Sequence, residues 1–304
     1  MKKISIGTGA FLRGPYASRP VPFDACLERL QALGFDGLEL SARSPHPSPS
    51  TLDTPEKRAA LKQKLADAGL TISGLSIDFQ GQYPFQDDPE GYVKVFGDNL
   101  QFAANLGIHN LRVDTNIAPE RLARADEKAA VGRAIDTWKR CARLAAERGV
   151  RVVWEFEPCF AFNKPSQILE VVRGVDEPNF GVLFDTCHAR TVAGVGARQT
   201  GEREVLERGE FELLEMLEGW IGAIHVIDTD GTLHDGETSA HLPFGAGTLD
   251  FDRLVPALLR SGTPNDWWCI DLCFCPTAWE AAGDCKKALD SYLARYDHES
   301  PTIA

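Results

Sequence analysis

The sequence carries no Cys-x-x-Cys pair, no Gly-x-Gly-x-x-Gly turn or phosphate-binding loop after any strand-like run, and no apolar stretch approaching a membrane span. Each absence removes a class. Without the glycine fingerprints, dinucleotide and nucleoside triphosphate binding lose their usual signature, and without a long apolar run nothing anchors the chain across a bilayer. Basic residues are also short, since 32 Lys and Arg stand against 44 Asp and Glu, a formal net charge of -12. Nucleic-acid partners draw their affinity from clustered cations, so a polyanion is disfavoured and a small neutral ligand fits better. The segment MKKISIGTGAF lacks the apolar core and small-residue cleavage site of a secretory signal, and the expectation is a cytoplasmic protein.

Cysteine is present but not in a disulfide pattern. The eight residues Cys26, Cys141, Cys159, Cys187, Cys269, Cys273, Cys275 and Cys285 fall mostly inside apolar runs, which in a chain of 304 residues reads as free buried thiols. Cys273 and Cys275 lie beside Asp271, and Cys273 would share the inward face of that strand. A hydrophobic fraction of 43% with 25% charged residues is ordinary for a globular protein. Residues 1–304 are therefore read as one domain, with disorder expected only in the tail from about 297 to 304.

Strand-like and helix-like stretches alternate along the chain. KISIGT, DGLELS, TISGLSIDF, HNLRVDT, RVVWEFEP, FGVLFDT, GAIHVID and WWCIDLCF read as strands. Between and after them lie PFDACLERLQALG, EKRAALKQKLADAG, GYVKVFGDNLQFAANLG, a long amphipathic segment from about Glu120 to Gly149, SQILEVVRGV, EFELLEMLEGW, FDRLVPALLR and AWEAAGDCKKALDSYLARY. Strict repetition of the pair predicts an α/β fold of the closed (β/α)8 TIM-barrel type rather than an open doubly wound sheet.

Four of these strands place a metal-type ligand near their C-terminal end: Glu155, Asp185, His225 and Asp271. A carboxylate inside an apolar run is costly unless paired or metal-bound, and a parallel barrel builds its active site at that end. Side-chain alternation supports the set. If Asp185 points inward so does Leu183, if His225 then Ala223, if Asp271 then Cys269, and Glu155 and Glu157 share a face with Val153. Trp154, Phe184, Ile224 and Trp268 then face the helices, while Trp267 either packs beneath them or lines the barrel. Three carboxylates and one imidazole have no cation among them, which favours one divalent ion; hard oxygen donors suit Mn or Mg and admit Co or Zn.

At these residues the chain resembles the xylose isomerase-like TIM-barrel superfamily, in the sugar isomerase and epimerase branch that includes ketose 3-epimerase and inosose relatives. The similarity runs through ISIGTGAF, GFDGLEL, EFEP, LFDTCH, IHVIDTDG and HLPFGAGTLDF to the last strand. The resemblance implies a Glu, Asp, His, Glu ligand set after the fifth to eighth strands, matched by Glu155, Asp185, His225 and, with a change, Asp271. An Asp carboxylate sits a methylene further back than Glu, which bears on the acid/base pairing of the two outer ligands, Glu155 and Asp271. Glu157 could compensate, and the choice between Glu155 and Glu157 as ligand stays open, the family's spacing favouring Glu155.

The resemblance also implies a substrate-binding role for His188, and for Asp228 either a substrate contact or an orienting role. It places His241 near the site. Arg112 ends the fourth strand as a candidate substrate contact or ion-pair partner, Lys164 in the loop after the fifth as a substrate contact or proton donor, and His234 reads as a surface histidine. The expected activity is isomerisation or epimerisation of an unphosphorylated sugar, keto-sugar or inositol derivative through a metal-stabilised enediolate. Expelling a β-substituent from the same enediolate would give a lyase or dehydratase. A noncatalytic sugar-binding barrel would follow if Asp271 disabled turnover. A superfamily endonuclease would need about three zinc ions and a basic DNA face, which the charge opposes. Relatives are often dimers or tetramers, so a homo-oligomer is compatible.

Overall fold

The computed structural model describes residues 2–122 and 127–296, so the expected disorder of 297–304 lies outside the described residues. Seven parallel strands come first: β1 (Lys3–Gly7), β2 (Gly37–Ser41), β3 (Thr71–Ser76), β4 (Asn110–Val113), β5 (Arg151–Glu155), β6 (Phe180–Asp185) and β7 (Ile221–Val226). A small antiparallel hairpin, β8 (Leu233–His234) and β9 (Thr238–Ser239), precedes the last barrel strand, β10 (Trp267–Ile270). The ring closes in the order β1-β10-β7-β6-β5-β4-β3-β2, with β1 paired in parallel to both β10 and β2. This is the closed barrel that the alternation predicts.

The helices are α1 (Phe23–Ala32), α2 (Pro55–Ala68), α3 (Glu90–Leu106), α4 (Glu127–Ala146), α5 (Pro165–Val175), α6 (Thr186–Ala189), α7 (Glu210–Met216), α8 (Phe251–Arg260) and α9 (Ala278–Tyr296). Their ends follow local chemistry. Thr54 caps α2 by accepting the Lys57 N–H, Pro55 supplies the first turn, and Gly69 leaves the helix at φ 66°. Within the amphipathic segment expected from Glu120 to Gly149, Pro119–Arg121 form a 3-10 turn and, among the described residues, α4 covers Glu127–Ala146. Proline at the head of that turn suits the first position of a helical element.

The barrel wall separates two apolar populations, as alternation requires. Val153, Leu183 and Ala223 form their own buried cluster inside the ring. Trp154, Phe184, Ile224 and Trp268 face outward into the core shared with the helices, where burying a side chain such as Phe184 stabilises by about 1.5–3 kcal/mol. Trp138 of α4 packs its ring 5.0 Å from that of Trp154 and donates its indole N–H to the Tyr92 hydroxyl. Of the Trp267 and Trp268 pair, Trp268 lies in the core and Trp267 sits half-buried at the barrel floor, with the Lys3 ammonium 5.4 Å from its ring centroid.

One irregularity positions a functional group. The register between β2 and β3 shifts between Leu38 and Glu39, and Gly37 lies so close to β3 that a Cβ there would stand 2.0 Å from the Thr71 carbonyl oxygen. Only glycine permits this approach. The same irregularity precedes Glu39, whose carboxylate reaches across the interior to β7.

Candidate metal centre

The C-terminal ends of β5, β6, β7 and β10 bring Glu155, Asp185, His225 and Asp271 together, one donor atom from each lying within 4.8 Å of the others. Nδ1 of His225 faces the three carboxylates, 3.1 Å from Glu155 Oε1, 3.4 Å from Asp271 Oδ2 and 3.7 Å from Asp185 Oδ2. The two aspartates are each tethered by one oxygen. Asp185 Oδ1 accepts the His188 N–H at 2.9 Å and Asp271 Oδ1 accepts the Cys273 N–H at 2.8 Å. The second oxygen of each is thereby aimed at the histidine. Asp271 thus reaches the cluster without the extra methylene of a glutamate, because the backbone just past β10 carries it there.

These residues fit a divalent cation on two counts. Glu155 Oε1, Asp185 Oδ2 and His225 Nδ1 are buried without a hydrogen-bond partner, and such atoms carry a desolvation cost that a bound ion relieves. The protonation pattern agrees. Burial pushes the Glu155 carboxyl up to about 8 against the pull of Arg112 and His225. Burial also opposes ionisation of Asp271, yet His241 and His225 hold it well below the usual carboxylate range. The imidazole of His225 is held well above its ordinary value, burial being outweighed by Glu39 and by neighbours including Asp271. Protons on histidine supply positive charge that a divalent ion would otherwise provide.

Supporting groups surround the quartet. The other ring nitrogen of His225, Nε2, lies 3.1 Å from Glu39 Oε2, the carboxylate partner that fixes a ligating imidazole. Arg112 pairs with Glu155 and, at 3.0 Å, with Glu157. Its role as an ion-pair partner is therefore filled, while it also lines the cavity. His241 stands 3.8 Å from Asp185 Oδ2, and Asp271 and Asp185 raise it to about 9 in spite of its burial.

Glu155 and Glu157 divide their tasks. Glu155 is fully buried in the quartet, whereas Glu157 lines the cavity above it and accepts from Arg112, from the Cys159 thiol at 3.1 Å and from the Thr238 hydroxyl at 3.1 Å. Burial would raise Glu157, but His188, with Nε2 3.7 Å away, and Arg112 carry it below its ordinary value. The cavity has a volume of about 410 Å³ and is walled by Arg13, Glu39, His188, His241, Asp271 and Cys273 among others.

Two expected site residues sit elsewhere. Asp228 accepts four backbone N–H groups, from Thr229, Gly245, Gly247 and Leu249, and is 1% exposed. Its carboxylate holds the loop that follows His241 through these amides. Lys164 occupies the N-cap position of α5 and is not among the residues lining the cavity.

The reverse holds for groups not singled out from sequence. His234, expected at the surface, lines the cavity with its ring 5.3 Å from that of Phe274. Glu39 and Arg13 also line it, Glu39 from within GFDGLEL. The inward position of Glu39 in DGLELS was the available signal. All eight cysteines are free, and Cys273 does share the Asp271 side, lining the cavity, while Cys275 is buried in the core.

Comparison with known proteins places this geometry. The L-ribulose-5-phosphate 3-epimerase UlaE of Escherichia coli is 24% identical over 286 residues, covering 91% of this chain and 92% of that protein. The crystal structure of a D-tagatose 3-epimerase-like protein superposes with a TM-score of 0.73 at 19% identity, covering 98% of this chain and 99% of that one. That of an IolI protein with a zinc atom gives 0.72 at 20% identity, covering 97% and 99%. The model of the xylose isomerase-like TIM barrel family matches residues 27–284. With the closed ring and the match spanning most of its length, this chain belongs to the xylose isomerase-like TIM barrel family.

Proposed function

We propose that this protein is a divalent-metal-dependent epimerase or isomerase of a small unphosphorylated sugar, keto-sugar or inositol derivative, and that the reaction runs through an enediolate. The observation that carries the reading is the quartet of Glu155, Asp185, His225 and Asp271, with its partnerless buried donor atoms, at the C-terminal face of the barrel beside the cavity. The epimerase relatives support the same reaction class without calling on elimination. A divalent cation held there supplies Lewis-acid polarisation of a carbonyl, which acidifies the neighbouring C–H. Mn, Mg, Co and Zn all suit the donor set.

Of the carboxylates lining the cavity, Glu157 and Asp271 face it from separate walls. Glu157 follows β5 and Asp271 follows β10, with β6 and β7 between them in the ring. In this reading one removes the C–H proton and the other returns a proton from the opposite face, which inverts the carbon; return to the adjacent carbon interconverts aldose and ketose. Glu155 serves as ligand. His188, Arg112 and His241 supply hydrogen bonds to substrate oxygens.

The unphosphorylated substrate is supported by charge. Of the three cavity arginines, Arg112 is committed to Glu155 and Glu157 and Arg198 to Glu120, which leaves Arg13, while Asp235 and Glu237 line the mouth. Such a rim repels a dianion. Free thiols throughout the described chain support a reducing, cytoplasmic setting.

The test is proton NMR in D2O of ketoses, L-ribulose 5-phosphate, inososes and 3-keto-glycosides with purified protein, with added Mn and again with EDTA. Metal-dependent deuterium uptake beside a carbonyl is expected, and Glu157→Gln and Asp271→Asn should each abolish net epimerisation while leaving the fold intact. Exchange that persists in EDTA, or that occurs only with L-ribulose 5-phosphate, would overturn the metal or the substrate assignment respectively.

A further inference from the structure

The hairpin of β8 and β9 enters the site from above rather than from the barrel. His234, Asp235, Glu237 and Thr238 line the cavity, and the two residues of β9 are buried, Thr238 at 4% and Ser239 at 0% exposure. Both end on the pair that faces substrate in the reading above. The Thr238 hydroxyl donates to Glu157 Oε2 at 3.1 Å, and Ser239 Oγ lies 2.9 Å from His188 Nδ1. His188 Nε2 is then left 3.7 Å from Glu157 Oε2, on the cavity side.

From this we propose that Thr238 and Ser239 are positioning residues, fixing the Glu157 carboxylate and the ring of His188 in the orientation that meets substrate. Strands deliver Glu157 and His188 only to within reach of the cavity, because both lie beyond the strand ends, Glu157 in a loop and His188 in the short α6. A loop carboxylate has several rotamers. Cys159, Arg112 and Thr238 together leave it one. The imidazole faces a second choice, which nitrogen carries the proton, and the group at Nδ1 decides it. With an ionised carboxylate near Nε2, the proton sits on Nε2 and the Ser239 hydroxyl donates to Nδ1, so that His188 presents a donor to a substrate oxygen.

This inference rests on the proposed epimerase reading for what Glu157 and His188 touch, but not for their orientation. Four proteins test it: wild type, Thr238→Val, Thr238→Ser and Ser239→Ala, each checked for an unchanged melting temperature. On whichever ketose the wild type turns over, Thr238→Val and Ser239→Ala are expected to lower kcat by roughly ten- to a hundredfold, as small misplacements do, with KM within about twofold. Thr238→Ser, which keeps the hydroxyl, should restore most of the rate. Nitrogen NMR of the His188 ring provides a readout that needs no turnover, and Ser239→Ala should change its tautomer balance. If the wild type turns over nothing, the epimerase reading fails while the ring measurement still decides this inference. An unaltered His188 tautomer in Ser239→Ala, or a Thr238→Ser variant as impaired as Thr238→Val, would overturn it.

Discussion

His225 and Glu39 meet across the width of the barrel, Nε2 of the imidazole 3.1 Å from Oε2 of the carboxylate, although they are 186 residues apart in sequence. The glutamate fixes the ring so that Nδ1 faces Glu155, Asp185 and Asp271. Replacing Glu39 with Gln is expected to weaken binding of a divalent ion by about 10–100-fold, the usual cost of losing a ligand's supporting carboxylate. Titration calorimetry with Mn or Zn checks it, and equal affinity in the two proteins would mean that His225 is oriented by other means.

Metal binding should itself depend on pH. Burial holds the Glu155 carboxyl up to about 8, so at pH 7 it carries a proton that the cation must displace. Affinity is therefore expected to rise as pH increases from 6 towards 8 and to flatten above, as far as Glu155 is concerned. His225→Ala should reduce affinity at every pH. Calorimetry in two buffers of different protonation enthalpy measures the protons released.

Asp114 gives a pH effect of the opposite sense on stability. Burial raises it from 3.8 to about 6, with Arg112 pulling the other way. The folded protein therefore binds this proton more tightly than the unfolded chain, and the group's contribution is lost as pH rises through about 6. Asp114→Asn should raise stability at pH 8 by about 1–3 kcal/mol and leave it little changed at pH 4. Urea unfolding at the two pH values is the check.

Asp228 is expected to behave as a structural residue. Asp228→Ala strands the amides of Gly245, Gly247 and Leu249, which should cost about 2–4 kcal/mol. A substrate contact would instead raise KM at unchanged melting temperature.

The barrel and its quartet were legible because both are periodic. A strand that alternates Val182, Leu183, Phe184, Asp185 declares its inward face, and Leu183 lies in the interior cluster while Phe184 lies in the outer core. What could not be read depends on the third dimension. The Asp228 carboxylate, for one, accepts backbone amides from residues up to 21 positions later. Glu39 escaped notice because its partner lies on the far wall of the barrel. His234 escaped because a two-residue strand such as β8 is too short to show any period.

The pairing of β1 with β10 sets the order in which the molecule can be assembled. Ile4 meets Trp268 and Ile6 meets Ile270, joining the first strand to the last. Asp271, the next residue, arrives at the quartet only when that seam shuts. A chain that has laid down every strand but the last still has an open sheet with two raw edges and three of its four candidate ligands. An ion in the proposed centre would gain its fourth ligand only on sealing of the ring, and would reward completion of the fold rather than guide its beginning.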